Sequence, residues 1–243
     1  MTDRLTQADK KHWGPPPTLF DWLMRQIPAD AKVLDVGAGY NPFPRANVLA
    51  DIVEPHGKRP DQEFVKCEVG AERLPFADKS FDFVICRHML EDMADPFSAM
   101  HEIERVGKSG YIETPSPIAE LCIGVDGNSP PWRGYNHHRY IVWVHQGELR
   151  FVSKYPLVEY LPEMNVAGLL RQGPIYWNTY FLWKDSIRFV HRQNPTHFVL
   201  PQDYQPELNQ AVGQSKAASD DFWAPIPKTT MISQVGLNRG RAA

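Results

Sequence analysis

The sequence predicts an α/β fold: a mostly parallel sheet with flanking helices, and antiparallel hairpins added in the C-terminal half. Three observations predict it. Between residues 31 and 117, short apolar runs alternate with amphipathic or loop segments, the pattern of a parallel sheet covered on both faces. "SFDFVICRH" (80–88) is almost continuously apolar, as a strand buried on both sides requires. After about residue 135 the texture shifts to strand-like runs paired around turn residues.

In chain order, "TLFDWLMRQI" (18–27) places Phe20, Leu23, Met24 and Ile27 on one helical face, with Thr18 as N-cap and Pro28 as the stop. "AKVLDVGAG" is a buried strand closed by glycine. "NVLADI" (47–52) and "EFVKCE" (63–68) are two further short strands. "DPFSAMHEIERV" begins with Asp95 as N-cap and Pro96 at the first helical position, and buries Phe97, Met100, Ile103 and Val106. "GYIETP" (110–115) is the next strand. "HRYIVWVHQGELRFVSKY" predicts a hairpin turning at Gln146-Gly147, and "YWNTYFLWKDSIRFVHR" (176–192) a second one near Lys184-Asp185. Residues 205–243 carry few periodic apolar positions and are expected to form a mobile tail anchored at Phe222-Trp223. Residues 1–204 then form one domain, with a ligand-binding core over 17–117 and a hairpin-rich part over 118–204.

The 243-residue chain is 42% apolar and 23% charged, with a net charge of −3. No segment is dense in Lys and Arg, which disfavours nucleic acid as a partner. No apolar run is long enough for a membrane span. Three widely spaced cysteines, Cys67, Cys86 and Cys122, and a polar N-terminus without an apolar signal core fit reduced thiols in a cytoplasmic setting. Cys67 and Cys86 are read as buried small apolar groups on strands.

The stretch "LDVGAGYNPFPRANVLAD" (34–51) points to a ligand. Open parallel sheets bind ligands at the carboxyl ends of their strands, and Gly37 and Gly39 let the backbone approach one closely. A dinucleotide fingerprint needs a third glycine where this chain has Pro42. Pro42 and Pro44 leave room for little more than one turn of helix, so there is no long helix N-terminus to receive a pyrophosphate. The spacing suits a ligand with adenosine and no phosphate, which is S-adenosylmethionine.

Beyond this turn, "VLDVGAG", "VLADI" and "CEVGAERLPFADKSFDFVICRHMLEDMADPFSAMHEIERVGKSGYIETPSP" resemble the class I S-adenosylmethionine-dependent methyltransferases, the type 11 group in particular. The resemblance covers residues 31–117 and implies a Rossmann-like fold. It implies that Asp35, Gly37 and Gly39 lie under the methionine part and ribose of the cofactor. Asp51, with Glu54 as a possible substitute, would accept the ribose hydroxyls, a task suited to an acceptor-only carboxylate. Glu68, where the family more often has Asp, and the backbone after it would hold the adenine amino group. Arg87 and His88 would leave the fourth strand beside the transferable methyl. The family's frequent "LEH" is here Leu90-Glu91-Asp92, so no histidine stands at that third position.

Methyl transfer from a sulfonium releases a neutral thioether, so no acid is needed. The nucleophile must be held in line about 3 Å from the methyl, with water excluded. A base is required only for an acceptor that must lose a proton, and His88 and His138 are the candidates. His138, like His137, alternatively anchors its loop, while Arg133 and Arg139 could hold an anionic or sugar-like acceptor. The aromatic second half, Trp132, Trp143, Trp177 and Trp183 included, either walls a substrate cleft or packs the core. Asp82 is read as a cap at the sheet edge. A metal held by His88, Glu91, Asp92 and Asp95 is disfavoured because Asp95 is better used as a helix cap. The expected activity is therefore methyl transfer to a small metabolite or a glycan- or lipid-linked intermediate. The alternatives are a non-catalytic binding or scaffold protein of the same fold and a nucleotide-dependent oxidoreductase, the latter opposed by Pro42.

Overall fold

A computed structural model describes residues 4–6, 9, 17–126, 132–192 and 200–227. A six-stranded sheet forms the centre, from β1 (Val33–Val36), β2 (Val48–Asp51), β3 (Glu63–Lys66), β4 (Phe83–Arg87), β5 (Ser109–Pro115) and β8 (Asn178–Lys184). Its order is β3-β2-β1-β4-β5-β8; the first five strands are parallel and β8 runs antiparallel to β5. A smaller sheet has the order β6-β7-β9, from β6 (Tyr140–His145), β7 (Glu148–Ser153) and β9 (Phe189–Arg192).

Strand alternation sorts the two cores. Leu34 and Val36 of β1 face the side covered by Met100 and Ile103 of α2 (Pro96–Val106) and by Val142 and Phe151 of the small sheet. Val33 faces the opposite side, with Leu19 and Leu23 of α1 (Pro17–Gln26), Phe43 and Trp223. Asp35 alternates onto this second side, which decides its role below.

The N-terminus of α2 forms as the sequence predicts: Asp95 accepts hydrogen bonds from the N–H groups of Phe97 and Ser98, and Pro96 follows it. Asp82 ties the sheet edge by accepting from the Lys32 N–H and from Lys108. β6 and β7 form the first expected hairpin, and Gln146 and Gly147, both at positive φ, make its two-residue turn.

Two expectations are corrected. Residues 176–192 do not form a hairpin. β8 pairs with β5 in the large sheet, while β9 pairs with β7 in the small one. The chain is drawn across at Ile187, whose N–H donates to Glu104 on α2 at 2.6 Å. Between β1 and β2, in keeping with the short spacing set by Pro42 and Pro44, there is no helix. The loop over 37–47 is pinned by side chains instead: Asp35 accepts from the Phe43 N–H, and Gln62 donates to the Phe43 and Ala46 carbonyls. The second correction concerns the C-terminal segment: after the short helices α3 (Pro117–Glu120) and α4 (Ala167–Leu170), Pro201–Trp223 forms the helix α5. Its Tyr204, Leu208, Ala211, Ser215, Ser219 and Trp223 are buried at helical spacing. The stripe was obscure because half of it is Ala and Ser. The remainder of the expected tail, 228–243, lies outside the described residues.

Candidate active site

The carboxyl ends of β1 to β4 open onto a cleft of about 630 Å³. Gly37 and Gly39 line it after β1, Asp51 and Ile52 after β2, and Cys67, Glu68, Val69 and Gly70 after β3. His88, Met89, Asp92 and Met93 close it after β4. The volume lies in the range that small-molecule sites occupy.

The glycine turn is built by main-chain geometry. Gly37 has φ +66° and Gly39 has φ +55°, both in the left-handed region that favours glycine. The Gly37 N–H donates to the Ala50 carbonyl at 2.8 Å, and the Gly39 N–H donates to Asp51 Oδ2 at 2.9 Å. A Cβ on Gly37 would stand 2.6 Å from the Sδ of Met89. Asp51 Oδ1 accepts from the Ile52 N–H at 2.6 Å. Oδ1 also accepts from the Val53 N–H at 3.4 Å, so the spare acceptor position is on Oδ2, which holds only the Gly39 N–H. Glu54 pairs with Lys58 at 3.3 Å and lines a smaller adjoining pocket of about 270 Å³ that shares Gly39, Asp51 and Ile52 with the cleft.

Asp35 and Arg87 do not line the cleft. Asp35 is 1% exposed and faces the covered side of the sheet, where Oδ2 accepts from the Phe43 N–H at 2.7 Å. Burial pushes its carboxyl up to about 6, against the opposing pull of Arg87 and the Phe43 N–H. Arg87 lies 3.8 Å from Asp35 and donates to the Asn41 carbonyl at 2.6 Å. The pair therefore holds the loop that carries the glycines from beneath. Strand alternation explains this: a residue one place before the turn-facing position points to the other face.

His88 lines the cleft with φ +50°, just past the end of β4. Its Nε2 lies 3.3 Å from Glu113 and its Nδ1 3.6 Å from Glu91. Burial works against a charge on the ring, but the Glu113 and Glu91 carboxylates outweigh it and push the imidazole up to about 10. The two carboxylates thus favour the protonated ring, which works against the general-base role expected from the sequence. Glu113 is itself fixed by Tyr111 (2.5 Å) and Asn178 (2.7 Å). Sequence reasoning missed Glu113. The available signal was a carboxylate in the middle of the apolar strand "GYIETP".

His138 is buried behind the cleft, with Nδ1 2.6 Å from Glu120, whose other oxygen lies 2.5 Å from Lys154 Nζ. It does not line the cleft. Arg133 is also structural, since its guanidinium donates to the Leu121, Leu161 and Pro162 carbonyls. Trp143, Trp177 and Trp183 are buried in the cores, and Trp132 is half-exposed away from the cleft lining. Cys67 does line the cleft, but burial pushes its thiol up to about 11, so it is an inert wall.

A parallel sheet whose carboxyl edge joins a glycine turn, a carboxylate on the second strand and an acidic residue after the third has its cleft where open α/β sheets bind ligands. Residues 34–112 match the family model described as a methyltransferase domain. An uncharacterized methyltransferase of Bacillus subtilis, YcgJ, is 30% identical over 95 residues, covering 33% of this chain and 38% of that protein. An uncharacterized methyltransferase of Schizosaccharomyces pombe, C1B3.06c, is 26% identical over 129 residues, covering 42% of this chain and 45% of that one. The chain thus spans less than half the length of these curated relatives. A solved putative methyltransferase from Bacillus halodurans is 24% identical, covering 40% of this chain and 51% of that one, with a TM-score of 0.35. The part of the chain that carries the glycine turn is thus similar to methyltransferase domains, which supports S-adenosylmethionine as its cofactor. No helix among the described residues is long and apolar enough to cross a membrane.

Proposed function

We propose that this protein transfers a methyl group from S-adenosylmethionine to an acceptor that enters from the open side of the cleft. One observation carries the reading: Gly37, Gly39, Asp51 and Glu68 line the same cleft, at the carboxyl edge of the sheet. Asp51 offers Oδ2, which holds a single N–H donor, to a ribose hydroxyl, and the bare main chain of Gly37 and Gly39 admits a ligand at contact distance. Glu68 offers an acceptor to an adenine amino group. When bound, S-adenosylmethionine supplies an electrophilic methyl on a sulfonium. Asp35 and Arg87 are positioning residues that hold the glycine loop from below. Met89 and Met93 give the β4 side of the cleft an apolar lining that excludes water.

His88 acts in this reading as a fixed donor and positive charge, holding an acceptor oxygen or an anionic group. The acceptor class that fits is a small metabolite or a glycan- or lipid-linked intermediate with an oxygen near that donor. Titration calorimetry with S-adenosylmethionine, its demethylated product and NADH tests the cofactor; binding of both sulfur ligands at micromolar level with none of NADH is expected. Label transfer from methyl-labelled cofactor into a host extract tests turnover. Failure to bind either sulfur ligand would overturn the proposal, and binding without transfer would leave a non-catalytic cofactor-binding protein.

A further inference from the structure

The sequence spacing disfavours a metal among His88, Glu91, Asp92 and Asp95, and Asp95 is indeed consumed as the α2 cap. The fold brings a different set together. Asp92 Oδ1 lies 3.7 Å from His137 Nε2 and 3.7 Å from His138 Nε2, and one donor atom from each of the three residues falls within 4.8 Å of the others. We propose that Asp92, His137 and His138 bind one divalent transition-metal ion, with Zn²⁺ the best match, at the wall of the cleft.

Three features point to an ion here. Donors about 2.0–2.2 Å from a shared tetrahedral ion stand roughly 3.3–3.6 Å apart, close to the 3.7 Å of both Asp92–histidine separations. At 3.7 Å neither histidine hydrogen-bonds the carboxylate. Asp92 Oδ1 is itself buried and accepts no hydrogen bond, although the rest of its side chain is 41% exposed. A buried carboxylate oxygen left in that state is costly unless a cation meets it.

His138 is also pre-set as a ligand. Its Nδ1 lies 2.6 Å from the acceptor-only carboxylate of Glu120, so Nδ1 is the nitrogen that donates there and Nε2, 3.7 Å from Asp92 Oδ1, is the one available to an ion. Lys154 fixes Glu120 from the other side. A carboxylate orienting a histidine in this way is the usual outer partner of a metal-ligating imidazole. Glu91, one residue before Asp92, adds a buried carboxylate whose two oxygens accept no hydrogen bond. Two imidazoles and one carboxylate suit Zn²⁺, and three protein ligands leave a fourth position open. Asp92 lines the cleft, so the ion stands at its edge whatever the acceptor turns out to be.

The test is direct binding to metal-stripped full-length protein. Calorimetry with Zn²⁺ should show one equivalent at micromolar affinity or better, and Co²⁺ should give the visible absorption of a low-coordinate nitrogen and oxygen site. His137→Ala is the informative variant because the ring is 59% exposed and its loss should leave the fold intact. It should weaken Zn²⁺ binding at least 100-fold and abolish the Co²⁺ bands, with the melting temperature and product-cofactor affinity unchanged. Glu120→Gln should weaken binding 10- to 100-fold through the misdirected His138. Absence of Zn²⁺ binding by the wild type would overturn the proposal. So would Zn²⁺ binding that survives in both His137→Ala and Asp92→Asn, which would assign the metal to the cysteines or another surface group.

Discussion

Asp51, at the end of β2, accepts the Gly39 N–H through Oδ2 at 2.9 Å, so one carboxylate both closes the glycine turn and faces the cleft. Removing it should act twice. Asp51→Ala leaves the Gly39 N–H without its cap, which should cost about 1 kcal/mol of stability, and removes the acceptor for ribose hydroxyls. Affinity for the demethylated cofactor should fall by about 1–3 kcal/mol in titration calorimetry. Asp51→Asn keeps one acceptor oxygen and should fall between. Unchanged affinity in Asp51→Ala would show that the carboxylate does not face the ligand.

Gly37 joins two constraints that a pair of variants separates. Its φ of +66° disfavours any side chain, and its missing Cβ leaves space that Met89 occupies. Gly37→Ala should destabilise by roughly 1–2 kcal/mol from backbone conformation alone, and should cut cofactor affinity by crowding Met89 into the cleft. In Gly37→Ala/Met89→Ala the crowding is relieved while the backbone cost stays. Affinity should therefore recover more than thermal stability. Equal recovery of both would show that the contact, not the backbone angle, sets the cost.

What the sequence could signal about this cleft follows a physical pattern. Gly37, Gly39, Asp51 and Glu68 line it at strand ends, and strand ends and glycine punctuation are local signals. Asp35 was assigned to the ligand, yet a one-residue step along β1 turns its side chain to the covered face. The partners of His88 and His138 are Glu113 and Glu120, which lie 25 and 18 residues away. Such long-range pairing leaves no periodic trace. The second hairpin failed for a similar reason: β8 and β9 were recruited by β5 and β7, and nothing in "WKDSIRF" announces the separation.

The buried Asp35 should leave a mark on stability in the absence of ligand. Its folded pKa, about 6, lies above the ordinary aspartate value of 3.8. A group raised in this direction contributes stability that is complete below pH 3.8 and is lost as pH rises through 6. The shift corresponds to about 3 kcal/mol. Asp35→Asn keeps an oxygen for the Phe43 N–H and removes the titration. In urea melts, the stability of the variant relative to wild type should rise between pH 4 and pH 6.5. Parallel pH curves for the two proteins would show that Arg87 neutralises Asp35 fully.

His88 offers a spectroscopic test of its charge. Held between Glu113 and Glu91, its ring should stay protonated across pH 6–9 and titrate near 10, so its NMR ring signals should be flat where a free histidine moves. The sign for stability follows: the paired imidazolium contributes below pH 6.5, and the contribution is lost as pH rises toward 10. Because the side chain is 39% exposed, solvent screening should reduce this to roughly 1–2 kcal/mol. Glu113→Gln should bring the midpoint down by at least one unit. A wild-type midpoint near 6.5 would return His88 to the role of a neutral base.

The helix α5 separates a docked element from a tail. Trp223 is 4% exposed and meets the Tyr180 ring edge-on at 5.6 Å, while Phe222 stacks on Tyr180 at 4.9 Å and meets Trp22 at 5.6 Å. At the other end Tyr204 is fully buried and donates its hydroxyl to the Ser153 carbonyl at 2.5 Å. α5 therefore ties α1, the edge strand β8 and the small sheet together. Trp223→Ala should cost about 3–5 kcal/mol, the usual range for emptying a large buried aromatic site. Ending the chain after Lys228 should leave the melting temperature unchanged within a few degrees, because every buried residue of α5 is retained. Ending it after Leu200 uncovers Tyr180, Trp143 and Leu161 together and should give a protein that aggregates or melts without cooperativity. If the chain ending at Leu200 melts as sharply as the full-length protein, α5 contributes nothing to the core and the segment is a tail after all.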